Sequence, residues 1–181
     1  MKIDFRIGLV AAVLAFGAAP VMAQVMVGGA PMYANKDIID NAVNSKDHKT
    51  LVAAVKAAGL VDTLKGKGPF TVFAPTDEAF GMLPAGTVDT LVKPENKATL
   101  TKILTYHVVP GRLTAAVLMK DIKAGGGKAV LKTVQGEPLT ATESGGGIVL
   151  TDAKGGTARV TIADVIQSNG VIHVVDKVLM P

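Results

Sequence analysis

The chain changes texture at Gly125. Before it, apolar residues recur at helical spacing. After it, glycine clusters at 125–127, 145–147 and 155–156 separate the runs KAVLKTV, GIVLTD and ARVTIADVI. Short β-branched runs bounded by such turn residues read as strands. Helices gathered in the first half and strands in the second cannot alternate as βαβ units, so the pattern specifies an α+β domain. One early apolar run, residues 70–74 of GKGPFTVFAPT, must then join the later sheet. The segment VIQSNGVIHVVDKVLMP predicts a closing hairpin, because Asn169 and Gly170 both tolerate the positive φ of a tight turn between β-branched strands.

The helical half can be read from its caps. Asn35 or Asp37 can cap a helix that carries Ile38, Ile39, Ala42 and Val43 on one side. Leu51, Val52, Val55 and Ala58 mark a second helix, closed by Gly59. Thr76 caps a short third one, with Asp77 and Glu78 in its positive first turn. Pro94 or Asn96 starts the fourth, in which Leu100, Ile103, Leu104 and His107 fall at i, i+3, i+4 and i+7. This spacing sets His107 among the leucines and turns Tyr106 about 100° away from them. Pro110 and Gly111 end the element.

Residues 1–23 have the anatomy of a secretory signal peptide. Lys2 and Arg6 precede an apolar run, Pro20 breaks it, and Val21 and Ala23 stand at the −3 and −1 positions of a cut. The run is shorter than the roughly 20 residues that span a bilayer. A short lead, residues 24–34, would connect it to one domain at 35–181. Without Lys2, Arg6 and Asp4, the 19 basic and 15 acidic residues fall to 17 and 14. The lysines are scattered and aromatic content is 4%, which argues against nucleic-acid binding. With no cysteine there is no disulfide framework, thiol chemistry or thiolate metal site.

No catalytic constellation stands out. The serines after residue 23 are Ser45, Ser144 and Ser168, and none lies in a G-x-S-x-G elbow. His48, His107 and His173 are isolated, without the paired spacing of a metal site. The glycine clusters precede strands and lack the Gly-Lys-Ser/Thr ending of a phosphate cradle. In the last strand His173 shares a side with Val171 and Val175, the position of a packed structural ring. Tyr106, at a helix end, can fill a core edge or serve as a recognition anchor. The residues describe an exported binding module that works without cofactor or metal.

Three stretches carry a family resemblance. FTVFAPTDEAF, which contains Phe73, Thr76 and Asp77, resembles the first signature box of fasciclin-like domains. NGVIHVVDKVLMP, with His173, resembles the second. ILTYHVVPG matches the central Tyr-His segment between them, in the same order and spacing. The resemblance runs from about residue 35 to 181 and implies a β-sandwich or wedge with helices packed around it. It also implies adhesion or extracellular interaction, not catalysis, with a protein, cell-surface or matrix partner. On this resemblance the candidate contacts are Tyr106, His107 and Val108 in the Tyr-His segment, and Asp37 and Ile38 in NKDII. The expectation is a monomer, secreted or periplasmic, with no membrane span once the signal is removed. A periplasmic or envelope structural protein that associates with other exported proteins is the alternative.

Overall fold

The structure, a computed structural model, describes residues 24–181. The expected signal peptide lies outside the described residues. Residues 24–34 are not a bare lead. They form a small hairpin, β1 (Met26–Val27) with β2 (Ala30–Pro31), and it buries Val27 and Met32.

Helices α1 (Ile38–Ala42), α2 (Lys49–Ala58) and α3 (Val61–Lys65) follow. Asp37 caps α1, its carboxylate accepting from the Asp40 amide at 2.8 Å. Gly59 ends α2 in the left-handed conformation at φ 70°, where a side chain would be strained. Strand β3 (Phe70–Pro75) precedes α4 (Asp77–Gly81), capped by Thr76, and α5 (Thr87–Leu91). A 3-10 turn at Pro94–Asn96 leads into α6 (Lys97–Tyr106), which hands the chain to β4 (Val108–Pro110). Helix α7 (Ala115–Ala124), capped by Thr114, is followed by β5 (Lys128–Lys132), β6 (Pro138–Ser144), β7 (Gly147–Thr151), β8 (Thr157–Gln167) and β9 (Gly170–Val175).

The seven strands β3–β9 form one sheet in the order β4-β3-β9-β8-β7-β6-β5. All pairs are antiparallel except β3 with β9, where Phe73 stands opposite His173. The early strand thus joins the later sheet, as the segregated pattern requires, and the fold is α+β in a single domain. The sheet curls until its ends meet: past β5, the Val134 amide donates to the Val108 carbonyl of β4 at 2.8 Å.

Two cores flank the curled sheet. Helices α1 to α6 pack one face, with Ile38, Val55, Leu104, Val72 and Ile172 in a common cluster. Helix α7 fills the inner curve, where Leu118 and Ile122 meet Phe73, Leu139, Leu150 and Val175. Strands β3 and β9 lie between the two cores. Both are buried on nearly every residue, which is why their sequences are continuous apolar runs, whereas β5 alternates buried and exposed positions.

The closing hairpin forms, but one residue away from its expected position. Gln167 pairs with Gly170, so Ser168 and Asn169 make the turn, and neither Asn169 nor Gly170 takes a positive φ. Gly170 is required for another reason. A Cβ there would lie 2.0 Å from the Phe70 carbonyl oxygen, inside the adjacent strand. The positive φ in this region belongs instead to Asp164, at 56°, in a bulge of β8.

Candidate functional site

The four residues from Tyr106 to Val109 cross the sheet at the seam between α6 and β4, and their side chains divide between the two cores. Val108 joins the helical core, while Tyr106 and Val109 join the inner one. Tyr106 is 0% exposed. Its hydroxyl donates to the Pro138 carbonyl at 2.9 Å and accepts from the Ala153 amide at 3.0 Å, tying α6 to β6 and to the β7–β8 loop. Burial raises its pKa. This corrects the expectation that Tyr106 turns off the packed face. The helical wheel is right about the angle, but a second core occupies the direction in which the ring points.

His107 lies on the opposite side, beneath α6. Its Nδ1–H donates to the Ile103 carbonyl at 2.9 Å, and its Nε2 accepts from the Leu179 amide at 3.0 Å. An acceptor at Nε2 requires the neutral ring, and complete burial lowers the pKa to about 4. The imidazole fastens the helix end to the chain's final turn. Val108 is also buried, and its backbone pairs with Val72.

The Asp37–Ile38 pair divides differently. Ile38 is 2% exposed and faces the helical core, and its amide donates to Asn169 Oδ1 at 3.1 Å. Asp37 reaches the surface. Its carboxylate caps α1 and lies 3.2 Å from Lys65 Nζ. Partial burial works against its charge, but the Asp40 amide and the Lys65 ammonium outweigh it and hold the carboxyl below the usual range. Of the five expected contacts, Asp37 alone has a side chain that a partner could reach.

The signature-box residues are joined by the β3–β9 pairing. Phe73 stacks on His173 with ring centroids 5.6 Å apart. His173 Nε2–H donates to the Leu113 carbonyl at 2.6 Å, and Nδ1 accepts from the Asp164 amide at 3.2 Å. Burial lowers its pKa as well. The bulge that strains Asp164 also aims its carboxylate at the Ala115 amide, 2.7 Å away, at the start of α7. Asp77 accepts from the Thr50 amide at 2.8 Å and so joins α4 to α2.

Sequence reasoning did not single out His48. It is buried, with Nδ1 2.9 Å from Ser45 Oγ and no hydrogen-bond partner at Nε2. The ring lines a cavity of about 40 Å³ with Ile38, Val55, His107 and Ile172. Burial lowers its pKa, and the nearby Ala74 carbonyl opposes that shift without reaching hydrogen-bonding geometry at Nε2. The walls are almost entirely apolar, so a water there would lack the roughly two to four polar partners that hold one. Among the described residues, no cluster of three or more His, Cys, Asp or Glu is placed to hold a metal ion.

The surface feature nearest Asp37 is a groove of about 560 Å³. It runs between the start of α1, the Gly66–Pro69 stretch, Arg112 and the β8–β9 turn. Asn169 builds it: Nδ2 donates to the Leu64 and Gly66 carbonyls at 2.6 and 3.0 Å, while Oδ1 holds α1. The turn-forming character of Asn169 is visible in the sequence. Its three long-range partners are not.

Comparison with known proteins gives a consistent picture. The profile of the fasciclin domain matches residues 46–181. The chain is 50% identical over 144 residues to protein sll1483 of Synechocystis sp., covering 80% of this chain and 73% of that protein. It is 38% identical over 145 residues to the immunogenic protein MPB70 of Mycobacterium bovis, covering 77% of this chain and 66% of the other. Among solved structures, a FAS1 domain pair from the insect cell adhesion molecule fasciclin I superposes with a TM-score of 0.72 at 20% identity. That match covers 81% of this chain and about half, 51%, of the insect one.

Proposed function

Since the chain belongs to the fasciclin domain family, we propose that it is an exported, non-catalytic interaction module that binds a cell-surface, matrix or protein partner. The observation that carries this reading is how the polar side chains of the seam are used. Tyr106, His107 and His173 spend their ring atoms on internal backbone partners, which leaves them no free group with which to act on a substrate. Their role is to fix a rigid scaffold, and contact falls to the exposed rim around Asp37. Ile38 and Val108 are buried together in the helical core and belong to that scaffold. The name of the insect relative, a cell adhesion molecule, agrees with this reading. Export rests on the signal-peptide pattern at residues 1–23. Among the described residues no helix is long and apolar enough to cross a membrane.

The test is cell adhesion to a surface densely coated with residues 24–181, beside a heat-denatured coating and an Asp37→Ala variant verified as folded. Capture that needs the native fold and falls with Asp37→Ala supports the module. A folded coating that holds no cells, while in-cell cross-linking recovers one constant envelope protein, replaces it with the structural alternative.

A further inference from the structure

We propose that the groove beside Asp37 is a binding site for an acidic saccharide, a chain bearing carboxylate or sulfate groups. This rests on the module reading and names the chemistry of its partner. The groove presents three cations, Lys65, Lys67 and Arg112, against one carboxylate, Asp37. Lys65 is committed to Asp37 and Asp40. Lys67 and Arg112 have no carboxylate within ion-pairing distance among the described residues, and both are exposed. Arg112 is nonetheless held in place, because its Nη2 donates to the Gln167 carbonyl at 3.3 Å, leaving its other N–H groups for an anion.

The walls are preorganised. Asn169 links the β8–β9 turn to α1 and to Leu64 and Gly66 through three hydrogen bonds. The Ser168 amide donates to the Lys36 carbonyl at 2.9 Å, and the Gly111 amide to the Pro69 carbonyl at 2.9 Å. Four separate stretches of chain are therefore fixed around the concavity before a ligand arrives, which lowers the ordering cost of binding. The lining also selects among polyanions. Its apolar content is glycine and Pro69, so it lacks the aromatic or aliphatic anchors on which protein partners depend. It equally lacks the apolar face that inserts into a lipid surface. What remains is a pair of free cations for acidic groups, with the Asp37 carboxylate and the Ser168 hydroxyl to meet sugar hydroxyls.

The experiment measures binding of soluble residues 24–181 to polygalacturonate and dextran sulfate at about 50 mM salt, with neutral dextran and polyglutamate as comparisons. Expected is binding to one or both acidic saccharides, weakened at least about tenfold by the double reversal Lys67→Glu with Arg112→Glu. A second double reversal, Lys128→Glu with Lys132→Glu on β5, changes net charge equally at two exposed lysines that do not line the groove and is expected to leave binding within about twofold. Thermal melts verify that both variants fold, and Lys67→Gln with Arg112→Gln repeats the test at smaller charge change. Equal losses from the two reversals would overturn the site, because net charge alone would then explain binding. So would polyglutamate binding as tightly as the saccharides, or neither saccharide binding better than dextran. No cells are involved, so failure here removes the groove alone. Intact saccharide binding by a coating that captures no cells would instead remove the adhesion reading.

Discussion

At the scale of single residues, burial decides what each polar group can do. The His107 ring is neutral in the fold, with a pKa of about 4 against an ordinary value of 6.5. A histidine held neutral binds its proton more readily when unfolded, so its contribution is full above pH 6.5 and is lost as pH falls toward 4. That contribution is about 3 kcal/mol, and His48 and His173 shift in the same direction. Denaturant midpoints should therefore drop markedly between pH 7 and pH 4.5, and less in a folded His107→Gln variant. A midpoint that does not move over this range would contradict a buried neutral imidazole. Asp37 runs the other way in origin, since its lowered pKa gives stability that disappears only below its ordinary value of 3.8. For Tyr106, loss of the hydroxyl alone in Tyr106→Phe leaves the Pro138 carbonyl and the Ala153 amide unpaired, at a cost of about 1–3 kcal/mol. Truncation to alanine empties part of the inner core and costs about 3–5 kcal/mol. Any adhesion lost in Tyr106→Ala should thus follow the melting temperature. The folded fraction should bind as wild type does.

At the scale of elements, caps and continuous apolar runs were legible, and closures were not. Asp37, Thr76 and Gly59 end their helices as their chemistry dictates, because a cap is a local interaction within about one turn. Removing the Thr76 cap in Thr76→Ala should cost about 1 kcal/mol, measurable in denaturant melts. The structure adds α3, α5 and α7 to the helices expected from periodicity, and β1, β2, β4 and β6 to the strands. Of these, α7 had the clearest signal, with Thr114 as its cap and Leu118 and Ile122 four residues apart. The β6 sequence PLTATES is largely polar. It is a strand because its neighbours β5 and β7 pair with it on both edges, and its Leu139 and Ala141 alone face the core. The hairpin shows the difference most directly. Turn propensity located it to within one residue, but the need for glycine at 170 comes from the Phe70 carbonyl a hundred residues away in the chain. Gly170→Ala should push β3 and β9 apart and destabilise the domain by about 1–3 kcal/mol or more. A stability equal to wild type would mean that the strands do not approach so closely.

At the scale of the molecule, the last strand is the keystone. Strand β9 pairs with β3 on one side and β8 on the other, and it supplies residues to both cores. A chain ending at Asn169 should therefore fail to fold cooperatively, with no sharp thermal transition and little dispersion of its amide resonances, rather than fold with a frayed edge. The β3–β9 pairing spans about a hundred residues, so loop-closure entropy opposes it early and refolding should take milliseconds to seconds. The sequence by itself determined the class of fold, the helix caps at Asp37, Gly59 and Thr76, the apolar character of β3 and β9 and the family resemblance. All of these follow from residue type and spacing over a few turns. The end of α6 does not, for it stops at Tyr106 rather than at Pro110 and Gly111 because Val108–Pro110 pairs with β3. Only the tertiary structure decided that Tyr106 is core, that Ile38 is out of reach, and that Lys67 and Arg112 share a groove. Exposure depends on what the rest of the chain places opposite a side chain, and here the opposing residues come from strands and turns tens of positions away.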